Sequence, residues 1–498
     1  MKGRANGEES LDLAAAYIAT QARLMGLKPG NGNSYYQYYT ISKKEFDKEK
    51  TYISITKGHG DSVTIRKPIY QLVPTGPADL SLSGEVVFAG YGIKSDKYKY
   101  NDFENIKPEG KILLVMDRAP MSEDGKKCRF EEGSWLSTMN IQMKLTSLIL
   151  TKPKAILVVT DPKSGFSSFG DASPGLAGYL ASSMSLKGEK QPINPMMANL
   201  PRIAFVDASV ANELLEGTGH TLAELQKQID SNLKSNSFVI EGKKLRLNEV
   251  SIQKDHVQSN VAAFVEGRDP LLKNEIVIFS GHYDHVGITN GKINTGADDN
   301  ASGCAGLLSI AEAFQSLGKK PLRSVLFLWV SGEEIGLYGS KSYTDNPLFP
   351  LDKTVADLNM DMIGRVKTPA DSTSETPMTD KFSVFVITGN QSKELTEIAN
   401  AVDSKSPIVL DYSLSGRNHP LQLFSRSDHY NFVKKDIPVL FFSTGIHTDY
   451  HTPGDVVEKL DYEKMELVTR TMFQIGFEVA DRKTRLVVDN PFSSWNKK

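Results

Sequence analysis

The sequence predicts an α/β fold: a mixed, mostly parallel sheet with helices on both faces, and a smaller β-rich domain inserted into it. Three observations carry this expectation. After about residue 250, strand-like runs that are apolar on both faces alternate with helical stretches, as in a sheet covered on both sides. From about Leu82 to Gly242 the texture changes to short strand-like runs separated by Gly, Pro, Ser and Asp. Finally, 498 residues exceed what one hydrophobic core spans, so two domains are expected. The boundaries fall at 1–80 with 251–498 for the larger domain and at 81–250 for the inserted one.

Taken in chain order, Leu11 to Leu27 carries apolar residues at helical spacing and stops before Pro29-Gly30. Extended segments follow at Tyr36 to Ile41 and Tyr52 to Ile55. The inserted domain shows the runs VVFAGYGI, KILLVMD, AILVVTD and PRIAFV. Beyond it come EIVIFSG, a helix from Gly303 to Leu317 closed by Gly318, then SVLFLWV, VADLNMDMIG and FSVFVITG. A helix from Ser392, the strand IPVLFFSTG and a helix over Glu463 to Ala480 complete the domain. The tail from Thr484 to Lys498 is polar and reads as a surface arm.

Composition narrows the function. An apolar share of 40%, a charged share of 24% and a net charge of -2 suit a soluble globular protein and point away from nucleic acid as a partner. No run approaches the ~18 apolar residues of a membrane helix, and the opening MKGRANGEESLDL lacks a signal-peptide core. The two cysteines, Cys128 and Cys304, make neither a disulfide framework nor a thiolate site. Any metal must therefore be held by His, Asp and Glu.

In an open α/β sheet, ligand groups gather at the carboxyl ends of strands, and the acidic and histidine motifs lie there. His282 and Asp284 follow EIVIFS in GHYDHVG, two apart in extended chain and so on one face. Asp298 and Asp299 adjoin in GADDNASG; one of them could simply cap the next helix, but adjacent carboxylates repel unless a cation neutralises them. Glu333 and Glu334 follow SVLFLWV in SGEEIGLYGS, either as a charged first turn or with one on metal and one moving protons. Asp361 closes NMD among apolar neighbours, where an unpaired carboxylate is costly. His447 and His451 lie in HTDYHTPGD, one of them a candidate ligand. Two His and three carboxylates without thiolate suit zinc, with cobalt or manganese as substitutes.

The motifs GHYDHVG, GADDNASG, SGEEIGLYGS, NMDMIG and YHTPGD, in this order from Gly281 to Asp455, resemble those of the co-catalytic di-zinc aminopeptidases, relatives of glutamate carboxypeptidase and the transferrin receptor. The resemblance implies a zinc-exopeptidase fold binding two zinc ions. It implies that Asp298 bridges them, with His282 and Asp361 completing one site and Glu334 and His451 the other. It further implies Glu333 as general base, Asp284 behind His282, a cis peptide between Asp298 and Asp299, and Tyr450 beside the oxyanion. His285, His419 and His447 match no ligand position and are read as structural or surface histidines, and Asp428 and His429 in SRSDHYNF as residues of a segment resembling a substrate-side loop.

The activity so implied is release of N-terminal amino acids from peptides by attack of a zinc-bridging hydroxide, with Glu333 taking the proton. A carboxypeptidase of the same family is the alternative, with Arg417 and Arg426 available to a terminal carboxylate. Glutaminyl cyclase and a non-catalytic binding scaffold fit less well, because all five ligand positions and Glu333 are intact. A serine hydrolase is excluded by the lack of a G-x-S-x-G elbow. The inserted segment resembles a protease-associated domain, which implies a periplasmic or extracellular location.

Overall fold

The computed structural model describes residues 2–58, 60–71, 79–130, 144–145, 147–173, 176–177, 180, 182–189, 200–289, 291–371 and 376–497. The chain divides into two compact units, residues 1–41 with 256–498, and residues 42–255.

The sheet of the larger unit runs in the order Ser251–Val265, Ser324–Val330, Ile276–His282, Thr354–Met360, Val439–Ser443, Ser383–Ile387 and Val409–Asp411. The four strands at its centre are mutually parallel (Ser324–Val330, Ile276–His282, Thr354–Met360 and Val439–Ser443), while Ser251–Val265 pairs antiparallel to Ser324–Val330 and Ser383–Ile387 antiparallel to Val439–Ser443. Parallel central strands align their carboxyl ends on one edge, which concentrates the loops that follow them.

Both faces of this sheet are covered, as the doubly apolar strands predict. Val277 and Phe279 enter one core with Leu11 and Ile18 of the helix Glu9–Leu24, Leu307 and Phe314 of Gly303–Ser316, and Val468 and Met472 of Tyr462–Asp481. Their neighbours Ile276 and Ile278 point the other way, into a core with Tyr343 and Phe432. Burying each such side chain contributes about 1.5–3 kcal/mol. The long helix lies very close to the sheet: a Cβ on Gly476 would stand 2.1 Å from Phe279 Cζ. The expected surface arm is corrected by packing, since Leu486 is buried and Phe492 and Trp495 pack against the second core.

The smaller unit has its own sheet, whose strands Leu80–Phe88, Ile112–Met116, Ala155–Val159 and Arg202–Val206 are parallel. Phe238–Glu249 pairs antiparallel both to Leu80–Phe88 and to Tyr52–Lys57. That last pairing explains why this unit begins at Ser42 rather than near residue 81: the segment before residue 80 supplies strands to the inserted sheet, a long-range pairing that local pattern does not reveal.

Candidate metal centre

His282 is the last residue of Ile276–His282, Asp361 the first beyond Thr354–Met360, and Glu333 and Glu334 follow Ser324–Val330 by a short turn. Three neighbouring parallel strands therefore deliver an imidazole and three carboxylates to one edge. His451 reaches the same place from the loop after Val439–Ser443.

The side chains form two groups. His282 Nε2 lies 3.1 Å from Asp361 Oδ1 and 3.4 Å from Asp299 Oδ1. His451 Nε2 lies 3.1 Å from Asp299 Oδ2 and 3.0 Å from Glu334 Oε2. Asp299 thus offers one oxygen to each group and is shared between them. Ser427 Oγ, 2.9 Å away, donates to the outer oxygen of Asp361 and fixes its orientation.

This arrangement corrects the bridging position from Asp298 to Asp299. Successive side chains of the loop point to opposite sides, and Asp298 points inward: its Oδ1 accepts from Gly364 N at 2.6 Å and its Oδ2 lies 3.5 Å from His447 Nε2. The cis peptide is likewise one residue later than expected, between Asp299 and Asn300. Asn300 then takes the structural work of the loop, accepting from Gly303 N and Met362 N and donating to Met360 O.

Asp284 is fully buried, and its hydrogen bonds redefine its role. One oxygen accepts from Glu333 N and the other from Glu334 N, both at 3.2 Å, while Asn6 Nδ2 donates to the second at 2.7 Å. Its carboxylate stands 3.6 Å from His282 Nδ1, so it backs the histidine electrostatically and ties the Glu333-Glu334 turn by hydrogen bonds.

His285, read from sequence as structural, is brought against the second group. Its Nδ1 lies 2.8 Å from Glu334 Oε1, the oxygen facing away from His451, and 3.6 Å from Asp299 Oδ2. A donor there holds Glu334 with its other oxygen toward His451. No spacing rule marks a residue in a loop for this role. Tyr450 stacks on His451 with ring centroids 3.8 Å apart, and burial, then the nearby Asp299 and Glu334 charges, raise its phenol well above the ordinary value. His447 stays beside Asp298, His429 Nε2 meets Phe424 O at 2.9 Å, and Arg417 lies over the Trp495 ring. Asp428, though fully buried nearby with neither oxygen hydrogen-bonded, belongs to neither group.

Buried carboxylates and imidazoles dominate the electrostatics of the pocket. Burial, reinforced by Glu334 and Asp361 against the pull of His282, raises the Glu333 carboxyl well above its ordinary value. Burial lowers the His451 imidazole, but Asp299 and Glu334 outweigh it and hold it at about 10. Asp299 Oδ2 and His451 Nε2 are buried and make no hydrogen bond. These two buried atoms, 3.1 Å apart within a donor set of imidazole and carboxylate only, fit a divalent cation such as zinc.

The comparisons agree in fold. Residues 260–476 match the model of Peptidase family M28. Leucine aminopeptidase 1 of Trichophyton equinum is 27% identical over 264 residues, 51% of this chain and 65% of that protein, so the chain spans somewhat under two thirds of that relative's length. Leucine aminopeptidase 2 of the same organism is 25% identical over 438 residues, 79% of each chain. Among solved structures, the zinc aminopeptidase BSAP of Bacillus subtilis superposes with a TM-score of 0.51 at 16% identity, over 96% of this chain and 91% of its own. An aminopeptidase from Aneurinibacillus sp. strain AM-1 gives 0.50 at 18% identity, over 98% and 92%. The stretch that carries every side chain of the two groups is therefore the same stretch, residues 260–476, that is similar to Peptidase family M28.

Proposed function

We propose that the chain is a metal-dependent aminopeptidase that releases N-terminal residues from peptides. The observation that carries this reading is Asp299, whose two oxygens face two separate donor groups with Glu333 alongside. His282, Asp361 and Asp299 would hold one cation, and Glu334, His451 and Asp299 a second. Two bound zinc ions would supply Lewis-acid polarisation of the scissile carbonyl and acidify water toward neutrality. Leucine aminopeptidases among the relatives and zinc aminopeptidases among the folds support it.

The protein's own groups do the rest. Glu333, 4.0 Å from His282 Nε2 and anchored through its backbone by Asp284, accepts a proton from the attacking water and delivers it to the leaving amine. Its raised affinity for a proton suits a group that must take one and then give it up. The Tyr450 phenol, kept protonated by burial and the nearby carboxylates, would donate to the oxyanion. The free α-amino group of the substrate sets cleavage at the first peptide bond.

The smaller unit is read as a protease-associated-type insert, which favours an exported protein; among the described residues no helix is long and apolar enough to cross a membrane. The decisive experiment is metal analysis of the purified protein with hydrolysis of free-amine and N-blocked peptides, and Glu333→Gln as control. Two zinc per chain and chelator-sensitive release of N-terminal residues, lost in the control, are expected. Cleavage of blocked peptides from the carboxyl end would move the reading to a carboxypeptidase.

A further inference from the structure

We propose that the segment from Gly3 to Asn6 is a working part of the metal centre, with Arg4 and Asn6 as positioning residues that hold the metal-bearing loops in register. This rests on the peptidase reading for its chemistry but not for its geometry. Arg4 is buried, and its guanidinium donates to four backbone carbonyls: Tyr283 at 2.8 Å, Thr295 at 2.7 Å, Gly296 at 3.0 Å and Asp299 at 3.3 Å. One of these belongs to the neighbour of His282 and one to the shared carboxylate residue itself. A single side chain therefore spans the loop after Ile276–His282 and the loop before Gly303–Ser316.

The backbone of the same segment adds a second seam. His285 N donates to Arg4 O at 3.1 Å and Gly287 N to Gly3 O at 3.0 Å. The approach is close: a Cβ on Gly3 would stand 2.6 Å from Gly287 O, and one on Gly287 2.5 Å from Ala5 Cβ. Arg4 itself has a φ of 52°, a left-handed conformation that persists in a non-glycine residue where its surroundings over-determine it. Asn6 completes the set by donating to Asp284, the carboxylate that ties the Glu333-Glu334 turn. The segment thus reaches Asp299, Asp284 and His285, which carry or hold a candidate ligand or the base, together with the backbone of the two loops that present them.

Arginine is required by this geometry. Four acceptors on two loops match a planar fork of five N–H donors, whereas a lysine ammonium has three donors at one point. The consequence is specific: loosening the segment should blur the Asp299 and His282 positions without disturbing the sheet behind them.

The test uses the full chain as Arg4→Ala, Arg4→Lys and Asn6→Ala. Zinc affinity by chelator competition, kcat and KM on a free-amine peptide, and amide exchange of the zinc-free protein are the readouts. Arg4→Ala is expected to weaken zinc binding about 10–100-fold, as loss of outer-shell partners does. It should also lower kcat more than it changes KM, and speed exchange at His285 and Gly287 while Thr354–Met360 stays protected; Arg4→Lys should recover only part. Wild-type zinc affinity with unchanged exchange overturns the proposal, and so does a uniform loss of protection, which would mark a general stabilising role. If Arg4→Ala does not fold, Asn6→Ala decides on the same readouts. A wild-type chain that neither binds zinc nor cleaves peptides would refute the peptidase reading, while exchange in the zinc-free variants still decides the role of the segment.

Discussion

Each unit of the chain buries a group of carboxylates around the carboxyl ends of parallel strands, and the two groups are held in opposite ways. In the smaller unit, Asp161 is gripped by the Arg118 guanidinium and by Gln226 at 2.6 Å. Asp230 meets Lys163 at 2.7 Å and the Tyr91 hydroxyl at 2.8 Å, and Lys144 is buried against the carbonyls of Met116, Asp117 and Arg118. In the larger unit, the ion-pair partners of Asp299, Glu333, Glu334 and Asp361 among the described residues are imidazoles alone. Buried acids at strand ends are therefore no sign of a metal by themselves. The sign is burial without an arginine or lysine to balance it, because an unbalanced buried charge is costly until a cation arrives.

That contrast can be broken most sharply within the metal loop. Asp299→Asn is expected to abolish both zinc content and turnover, whereas Asp298→Asn, one position away, should keep its zinc, as read by metal analysis of the two purified proteins. Equal zinc loss in both would return the bridging role to the pair as a whole. In the smaller unit, Asp161→Ala removes the fully buried partner of the half-buried Arg118. It should cost about 3–5 kcal/mol in denaturant unfolding of that unit, by the same amount with or without zinc. A zinc-dependent penalty there would erase the distinction between the two clusters.

Weaker effects sharpen it. His285→Ala removes the donor on the outer oxygen of Glu334, and a 10–100-fold loss of zinc affinity in chelator competition is expected, with peptide KM little changed. The smallest effect is one of pH. Burial holds the Asp102 carboxyl up at about 7 against the hydrogen bonds of Tyr100 and Ile93. Between its ordinary value of 3.8 and about 7, the folded chain carries a proton that the unfolded chain has lost. Its contribution is thus complete below pH 3.8 and fades as pH rises through about 7. Denaturation midpoints at pH 5 and pH 8 should differ by less in Asp102→Asn than in the parent.

Much of this was legible before the structure. Apolar strands alternating with helices fixed the sheet with its two covered faces, because both signals are local. His282, Glu334, Asp361 and His451 were legible because each follows a strand that the pattern marks. The choice between Asp298 and Asp299 was not, since it depends on which side of an irregular loop faces the strands. His285 and Arg4 were silent for another reason: a loop residue and an isolated arginine near the amino terminus acquire meaning only from chain hundreds of residues away. The same physics moved the unit boundary, where Tyr52–Lys57 finds its partner in Phe238–Glu249.

The Asp455 carboxylate, finally, accepts the backbone N–H groups of Asp298 and Asp299 at 3.0–3.1 Å, across sequence separations of 157 and 156. During synthesis, His282, Asp299, Glu334 and Asp361 all emerge well before His451 and before the group that steadies the aspartate loop. Closing so long a loop comes late in folding. A nascent chain therefore carries an unfinished basin of acids, and cation capture belongs to the finished polypeptide. Asp455→Ala, which removes that group alone, should thus leave the strands in place and weaken the chain's retention of zinc.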